Sequence, residues 1–400
     1  MIEQRDPPKV PRFTGARPLV LAGGVAALVG LVVLVVGFVV APSRTFAAYL
    51  TAFSAFAAIG LGALAFLLIT HAMGAKWPIV VRRQTEALAT SLFLLALIFV
   101  PLLFGLDELY LWSRVDEVEL PHHVALAIEK KRAYLDGRFF VVRSVIFFAL
   151  WLIPLGLLLA WSRRLDSEAS LLLKTRSRLL ASAFLPFVGL ALTFAAFDWL
   201  MSLQPDWYSS MFGVYYFASG FLPAIAAITL MTERLEHSGW LGRLLNDSHY
   251  YALGRLLFAF VVFWAYITFF QFFIIWMANK PEEVSWYIPR FASPWAGLAI
   301  FLVFAHFVVP FLLLLPYRRK RQPRPLALIG AWILVVHYLH VHWIVIPSFP
   351  DAAPIHWVDF GALLFVGGAV IAFVSWRLQG RFLFPAADPD LIRALEYRSV

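Results

Sequence analysis

The 400-residue sequence contains no cysteine, which rules out disulfides, thiolate-bound zinc and cysteine-ligated iron–sulfur clusters within this chain. A Cys-x-x-Cys-His run for covalent haem is missing for the same reason. Any electrons such a protein handles are therefore held by other chains or by bound cofactors. Charge is also scarce, at 14% of residues against 62% hydrophobic ones. No Pro- or Ser-rich linker and no short repeat divides the chain, so a single membrane domain is expected. The net charge of +9 would suggest nucleic acid in a soluble protein, but here its distribution has another explanation.

Apolar runs repeatedly exceed the 18 or so residues that mark a spanning helix. Ten are expected: Leu19–Ala41, Ala48–Ala72, Ala87–Leu106, Phe139–Trp161, Leu179–Leu200, Met211–Leu230, Leu253–Trp276, Trp295–Leu315, Leu326–Ile346 and Trp357–Trp376. The first is too long for a signal-peptide core and reads as an anchor behind a polar head, residues 1–18. Residues 19–376 then form the membrane domain and residues 377–400 a tail laid over inner loops or a partner.

Most of the 33 Lys and Arg fall in the head, the tail and alternate loops, so the positive-inside rule predicts that both termini are cytoplasmic. Arg82-Arg83, Arg163-Arg164 and Arg318-Arg319-Lys320-Arg321 are topology signals beside anionic lipid. The long outer loop from Asp107 to Arg138 offers a docking surface for an extracytoplasmic partner. Within it Ala125–Leu135 fits a short helix, and His122-His123 is a poor metal pair because adjacent helical residues diverge by about 100°. Pro101, Pro154, Pro186, Pro223 and Pro310 lie inside apolar runs and predict kinks.

Polar residues inside the membrane carry the functional signal. Asp198 ends the fifth span at a tight hairpin whose Trp199, Trp207 and Tyr208 suit headgroup depth. The ninth span concentrates Trp332, His337, Tyr338, His340, His342 and Trp343, with His337 and His340 on one face at i, i+3. An outer layer of Asp198, Gln271, His340 and Asp359, with His306 and His337 beneath it, fits a proton relay or a wet site where quinol loses protons. A second set, His71, Glu86 and His249, lies at the inner ends of three spans. Two other classes compete: a b-type cytochrome with His306 and His337 as axial ligands, and a transporter, which the lack of paired Gly-interrupted spans disfavours. For each polar residue the plain alternative is a hydrogen bond or ion pair that only holds helices together.

Phe197-Asp198-Trp199-Leu200-Met201-Ser202-Leu203, with Trp207-Tyr208-Ser209 and Gly213-Val214-Tyr215-Tyr216, resembles the F subunit of bacterial alternative complex III, in the polysulfide-reductase, NrfD-like membrane family. Lys131, Tyr134-Leu135, Phe139-Phe140 and Arg143 extend the likeness. So do His249-Tyr250, Leu253-Gly254-Arg255, Phe263-Trp264-Ala265-Tyr266, Gln271, Ile275-Trp276, Asn279, Pro281 and Glu282-Glu283. The resemblance implies two four-helix bundles, spans 2–5 and 6–9, flanked by spans 1 and 10, in a bacterial cytoplasmic membrane. It implies a quinol:cytochrome c or terminal-oxidase oxidoreductase. Its haem c and iron–sulfur clusters belong to periplasmic partner subunits, and a related membrane subunit binds quinone. No redox cofactor is then expected in this chain, whose role is structural or proton-conducting.

Overall fold

The computed structural model describes residues 12–115, 119–242, 244–349 and 352–399. Most of the polar head therefore lies outside the described residues, as do residues 116–118 of the long loop. The chain is an all-α integral membrane protein, with ten helical units among the described residues long and apolar enough to span. Spans 1 to 10 are Arg17–Val40, Pro42–Ala72, Trp77–Leu109, Gly137–Arg164, Leu171–Leu203, Phe212–His237, Asp247–Ala278, Trp295–Leu314, Pro323–Ser348 and Trp357–Leu378.

Several outrun the apolar stretches that mark them in the sequence. Span 5 has 33 residues and reaches about 50 Å, well past the ~30 Å of hydrocarbon. Its polar first turns are paid for by capping and tertiary contacts rather than by lipid. The Ser170 hydroxyl accepts from the Leu173 N–H at 3.3 Å, and Asp136 does the same for Phe139 at 2.8 Å at the start of span 4. Span 7 opens on a capping box between Asn246 and His249, and span 10 on one between His356 and Asp359.

Spans 2–5 and spans 6–9 each close into a four-helix bundle, as the resemblance implies, and span 1 lies along span 10. Span 2 is the centre. Rich in Ala and Gly, it is buried along most of its length and touches spans 3, 5, 6, 9 and 10. Association in lipid depends on close backbone approach, which small residues permit. Where the bundles meet, a Cβ on Gly220 would lie 2.5 Å from the Ala58 carbonyl oxygen, and one on Gly62 equally close to that of Gly220. Spans 1 and 10 meet in the same way: a Cβ on Gly23 would fall 2.7 Å from the Ala372 nitrogen.

Three details depart from expectation. Trp199 and Trp207 are each only 1% exposed, packed into the protein rather than turned to headgroups; Tyr208 alone of the three is exposed. The outer-loop helix is His122–Lys130, starting earlier than Ala125, and among the described residues no group of three His, Cys, Asp or Glu side chains is arranged to hold a metal ion there or elsewhere. Pro101 sits in a 3₁₀ turn, whereas Pro154, Pro186 and Pro223 are accommodated inside continuous helices.

The tail lies across the face that carries both termini. It pairs with the chain start through Gly380 and Phe13, then buries Leu383 and Phe384. Asp388 receives Arg82 from span 3 at 2.8 Å and Lys174 from span 5 at 3.0 Å, while His249 and Asn246 of the span 7 cap bond the carbonyls of Ala394 and Leu395. Burial works to raise the Asp388 carboxyl, but Arg82 and Lys174 outweigh it and hold it below its ordinary 3.8.

Two predictions follow from this packing. Gly220→Leu forces a side chain against the backbone of span 2 and should cost about 3 kcal/mol or more, read as a lower thermal midpoint in detergent, whereas Gly156→Ala, which faces open space in span 4, should leave spans 2 and 6 undisturbed. Asp388→Asn removes the anion two half-buried cations share, at a cost of about 2 kcal/mol, and should expose the tail to trypsin at Arg381 and Arg393. Because the folded carboxyl is held low, its contribution is present above pH 3.8 and lost as acid protonates it, so acid should loosen the wild-type tail in the same way.

Candidate functional site

Of the residues singled out in the sequence, three histidines come together inside the second bundle. Span 8 supplies His306, and span 9 supplies His337 and His340 one turn apart; all are at most 1% exposed. The Tyr215 hydroxyl of span 6 is hydrogen-bonded to His340 Nε2. His306 lies flat on Trp264 of span 7, with ring centroids 3.9 Å apart, and its ring is 5.3 Å from that of His340. His337 Nε2 reaches across to the Ala55 carbonyl of span 2 at 3.0 Å, tying the cluster to the first bundle.

The backbone beneath His306 is unusual. Span 8 is α-helical over Trp295–Leu302 and Val309–Leu314, but Val303–Val308 between them forms a wide π-helical turn. Such turns need a neighbour to absorb their displaced hydrogen bonds. Pro310 has no N–H to give to the turn before it, and the Trp332 indole N–H of span 9 instead donates to the Ala305 carbonyl at 2.8 Å. The turn rotates His306 inward.

Most buried polar atoms in proteins are hydrogen-bonded. Here six side-chain atoms are buried without a protein partner: both nitrogens of His306, Nδ1 of His337 and of His340, the Trp264 indole nitrogen and the Thr268 hydroxyl. A neutral imidazole carries one donor and one acceptor, so it can take a proton at one nitrogen and release it from the other. Imidazoles next to a phenol have the donors and acceptors that passing a proton requires.

Gln271 leads toward this cluster. It accepts from the Ser209 hydroxyl in the span 5–6 hairpin and donates to the Tyr287 hydroxyl, both at 3.4 Å, and Tyr287 belongs to the aromatic set that runs through Trp286 and Phe212 to Tyr215. Asp198 and Asp359 do not. Asp198 accepts from Arg143 Nε at 2.7 Å inside the first bundle, and Asp359 joins Arg44 at 2.5 Å while capping span 10. Among the described residues no hydrogen bond or ion pair links either carboxylate to His306, His337 or His340. The expected single layer is thus one histidine cluster with an amide lead-in and two separate ion pairs.

The inner set also divides. Glu86 is held by Arg83 at 2.7 Å and by the Ser162 hydroxyl at 2.5 Å, His249 caps span 7 and grips the tail, and His71 Nδ1 bonds its own helix at the Leu67 carbonyl, 2.8 Å away.

Arg290, in the loop between spans 7 and 8, has no counterpart in the sequence reading. It is 1% exposed, and no ion pair joins it to a carboxylate among the described residues. Its guanidinium instead donates to Gln204 Oε1 (2.8 Å), the Trp286 carbonyl (2.6 Å), the Ile344 carbonyl (2.5 Å) and the Ser348 hydroxyl (2.8 Å), and lies 3.6 Å over the Trp286 ring. Burial pushes its pKa down, while nearby Tyr215 and Tyr287 act in the opposite direction. This one cation ties its own loop to the span 5–6 hairpin and to the end of span 9. Trp286-Tyr287 beside it is the only sequence hint, an aromatic face for a cation.

The geometry does not fit a haem between His306 and His337. Axial histidines commonly coordinate through Nε2 while Nδ1 is anchored, but here His337 commits Nε2 to Ala55 and His306 is stacked flat on Trp264.

Arg143→Met should destabilise the protein by about 3–5 kcal/mol, because it strands a buried carboxylate. Arg143→Met combined with Asp198→Leu should recover most of that loss in thermal unfolding. A double variant as unstable as the single one would show that the pair does more than cancel charge.

In comparisons with known proteins, no family model and no curated protein matches this chain.

Proposed function

We propose that this chain is an integral membrane subunit of a quinol:electron-acceptor oxidoreductase of the alternative complex III type, the acceptor being a cytochrome c or a terminal oxidase. Its redox centres sit on partner chains: periplasmic multihaem cytochrome and iron–sulfur subunits, beside a related quinone-binding membrane subunit. Its own contribution is to anchor that assembly in a bacterial cytoplasmic membrane and to move protons through the second bundle. The arginine-rich face bearing both termini is then cytoplasmic.

The observation that carries the reading is the Tyr215–His340 hydrogen bond beside the unpartnered nitrogens of His306 and His337. Ionisable side chains in a membrane interior mark ion or proton paths more often than they serve as packing. Ser209, Gln271 and Tyr287 supply hydroxyl and amide steps from the face opposite the termini. Quinol oxidation releases two protons for every two electrons, so a subunit beside it gains from such a path. The family resemblance in the central hairpin supplies the assembly; the histidine cluster supplies the proton role.

His340→Phe, in the assembled complex in proteoliposomes, should lower quinol turnover or proton release per electron by about tenfold or more. Tyr215→Phe, which keeps the ring and removes the hydroxyl, should reproduce part of that loss. Unchanged turnover and proton yield in both variants would reduce the chain to an anchor.

A further inference from the structure

One cavity, of about 360 Å³, opens between the ends of spans 2, 3 and 5 on the face that carries the termini. Its floor is apolar, with Phe66 and Leu67 at the base and Leu171 at the rim, and its walls present His71, Arg82, Lys174 and Arg178 with one carboxylate, Asp390. Arg82 and Lys174 share Asp388, while Lys174, Lys76 and Arg393 converge on Asp390. Four cations thus divide two carboxylates. Arg178 has none: among the described residues its only hydrogen bond runs from Nε to the Ala72 carbonyl, at 3.2 Å.

We propose that this cavity binds a phosphate group, with Arg178 as its principal ligand and Lys174 as the second. The excess of positive charge calls for an anion. A guanidinium presents a planar fork of donors that matches phosphate oxygens, and the bond to Ala72 uses only Nε, leaving the two terminal nitrogens of the fork. The position favours a lipid source. Span 5 places Leu171, Thr175, Arg178 and Leu179 along one side, at helical spacing, and Leu171 and Leu179 are 71% and 65% exposed. A headgroup phosphate seated in the cavity would leave its acyl chains to run along that apolar strip into the bilayer. Basic pockets between spanning helices suit anionic lipid headgroups on these grounds. Free inorganic phosphate offers the same oxygens without the chains.

The test is native mass spectrometry of the full-length protein, delipidated in neutral detergent and titrated with phosphatidylglycerol, phosphatidylcholine or inorganic phosphate. Wild type should retain one phosphatidylglycerol in preference to phosphatidylcholine. Arg178→Gln should weaken that retention about tenfold, as expected for loss of a charge-assisted hydrogen bond, and Arg178→Lys should restore much of it. Thr175→Asp, an exposed change that places an anion at the rim, should weaken it with no shift in thermal midpoint. Millimolar inorganic phosphate that binds and displaces the lipid would assign the same site to free phosphate. Equal retention of the two lipids with no phosphate binding, or undiminished phosphatidylglycerol binding in Arg178→Gln, would overturn the proposal.

Discussion

Inside a bilayer a polar group has no water to fall back on, and the whole arrangement follows from where each one finds a partner. Desolvating a charge costs several kcal/mol unless an opposite charge and good hydrogen bonds meet it. Asp198 is met by Arg143, Asp359 by Arg44, and Glu86 by Arg83 and Ser162. Arg143–Asp198 and Arg44–Asp359 each join two helices, and Ser162 ties the Arg83–Glu86 pair of span 3 to span 4, so satisfying the charge also fixes a helix neighbour. Arg290 takes the other solution, replacing a counter-ion with carbonyls, hydroxyl and amide oxygens and an aromatic face.

Against that background the second bundle stands apart. Its cluster is neutral in composition, imidazole with indole and phenol, rather than a pair of opposite charges. His306 sits within the π-helical turn of span 8, which the Trp332 indole supports from span 9. The two bundles therefore divide the work: the first is knitted by ion pairs around an Ala- and Gly-rich helix, and the second houses titratable rings. They are coupled through His337 and Ala55 and through the Gly62–Gly220 contact.

Much of this was legible in the sequence. Long apolar runs located all ten spans, and His306, His337 and His340 were recognised as anomalies because so few polar residues interrupt those runs. Helix ends were misjudged where capping residues such as Ser170 extend a span beyond its apolar part. The outer layer was misjudged for a different reason. Hydropathy gives depth but not azimuth, so Asp198, Gln271 and Asp359 looked like neighbours although helix rotation sends the two carboxylates to separate arginines. Tyr215 and Trp264 looked like ordinary aromatics because only the fold brings them to histidine. The π-helical turn had one faint sign, a proline four residues after His306.

The contact between spans 1 and 10 has a consequence for biogenesis. A chain enters the membrane in order, yet the glycine face of the first helix has its partner roughly 340 residues later, a wait of about 20–70 s at ordinary translation speeds. During that interval small residues that favour close helix contact lie open to lipid and to any other helix nearby. The last helix to emerge therefore retires a surface that the first one left unclaimed.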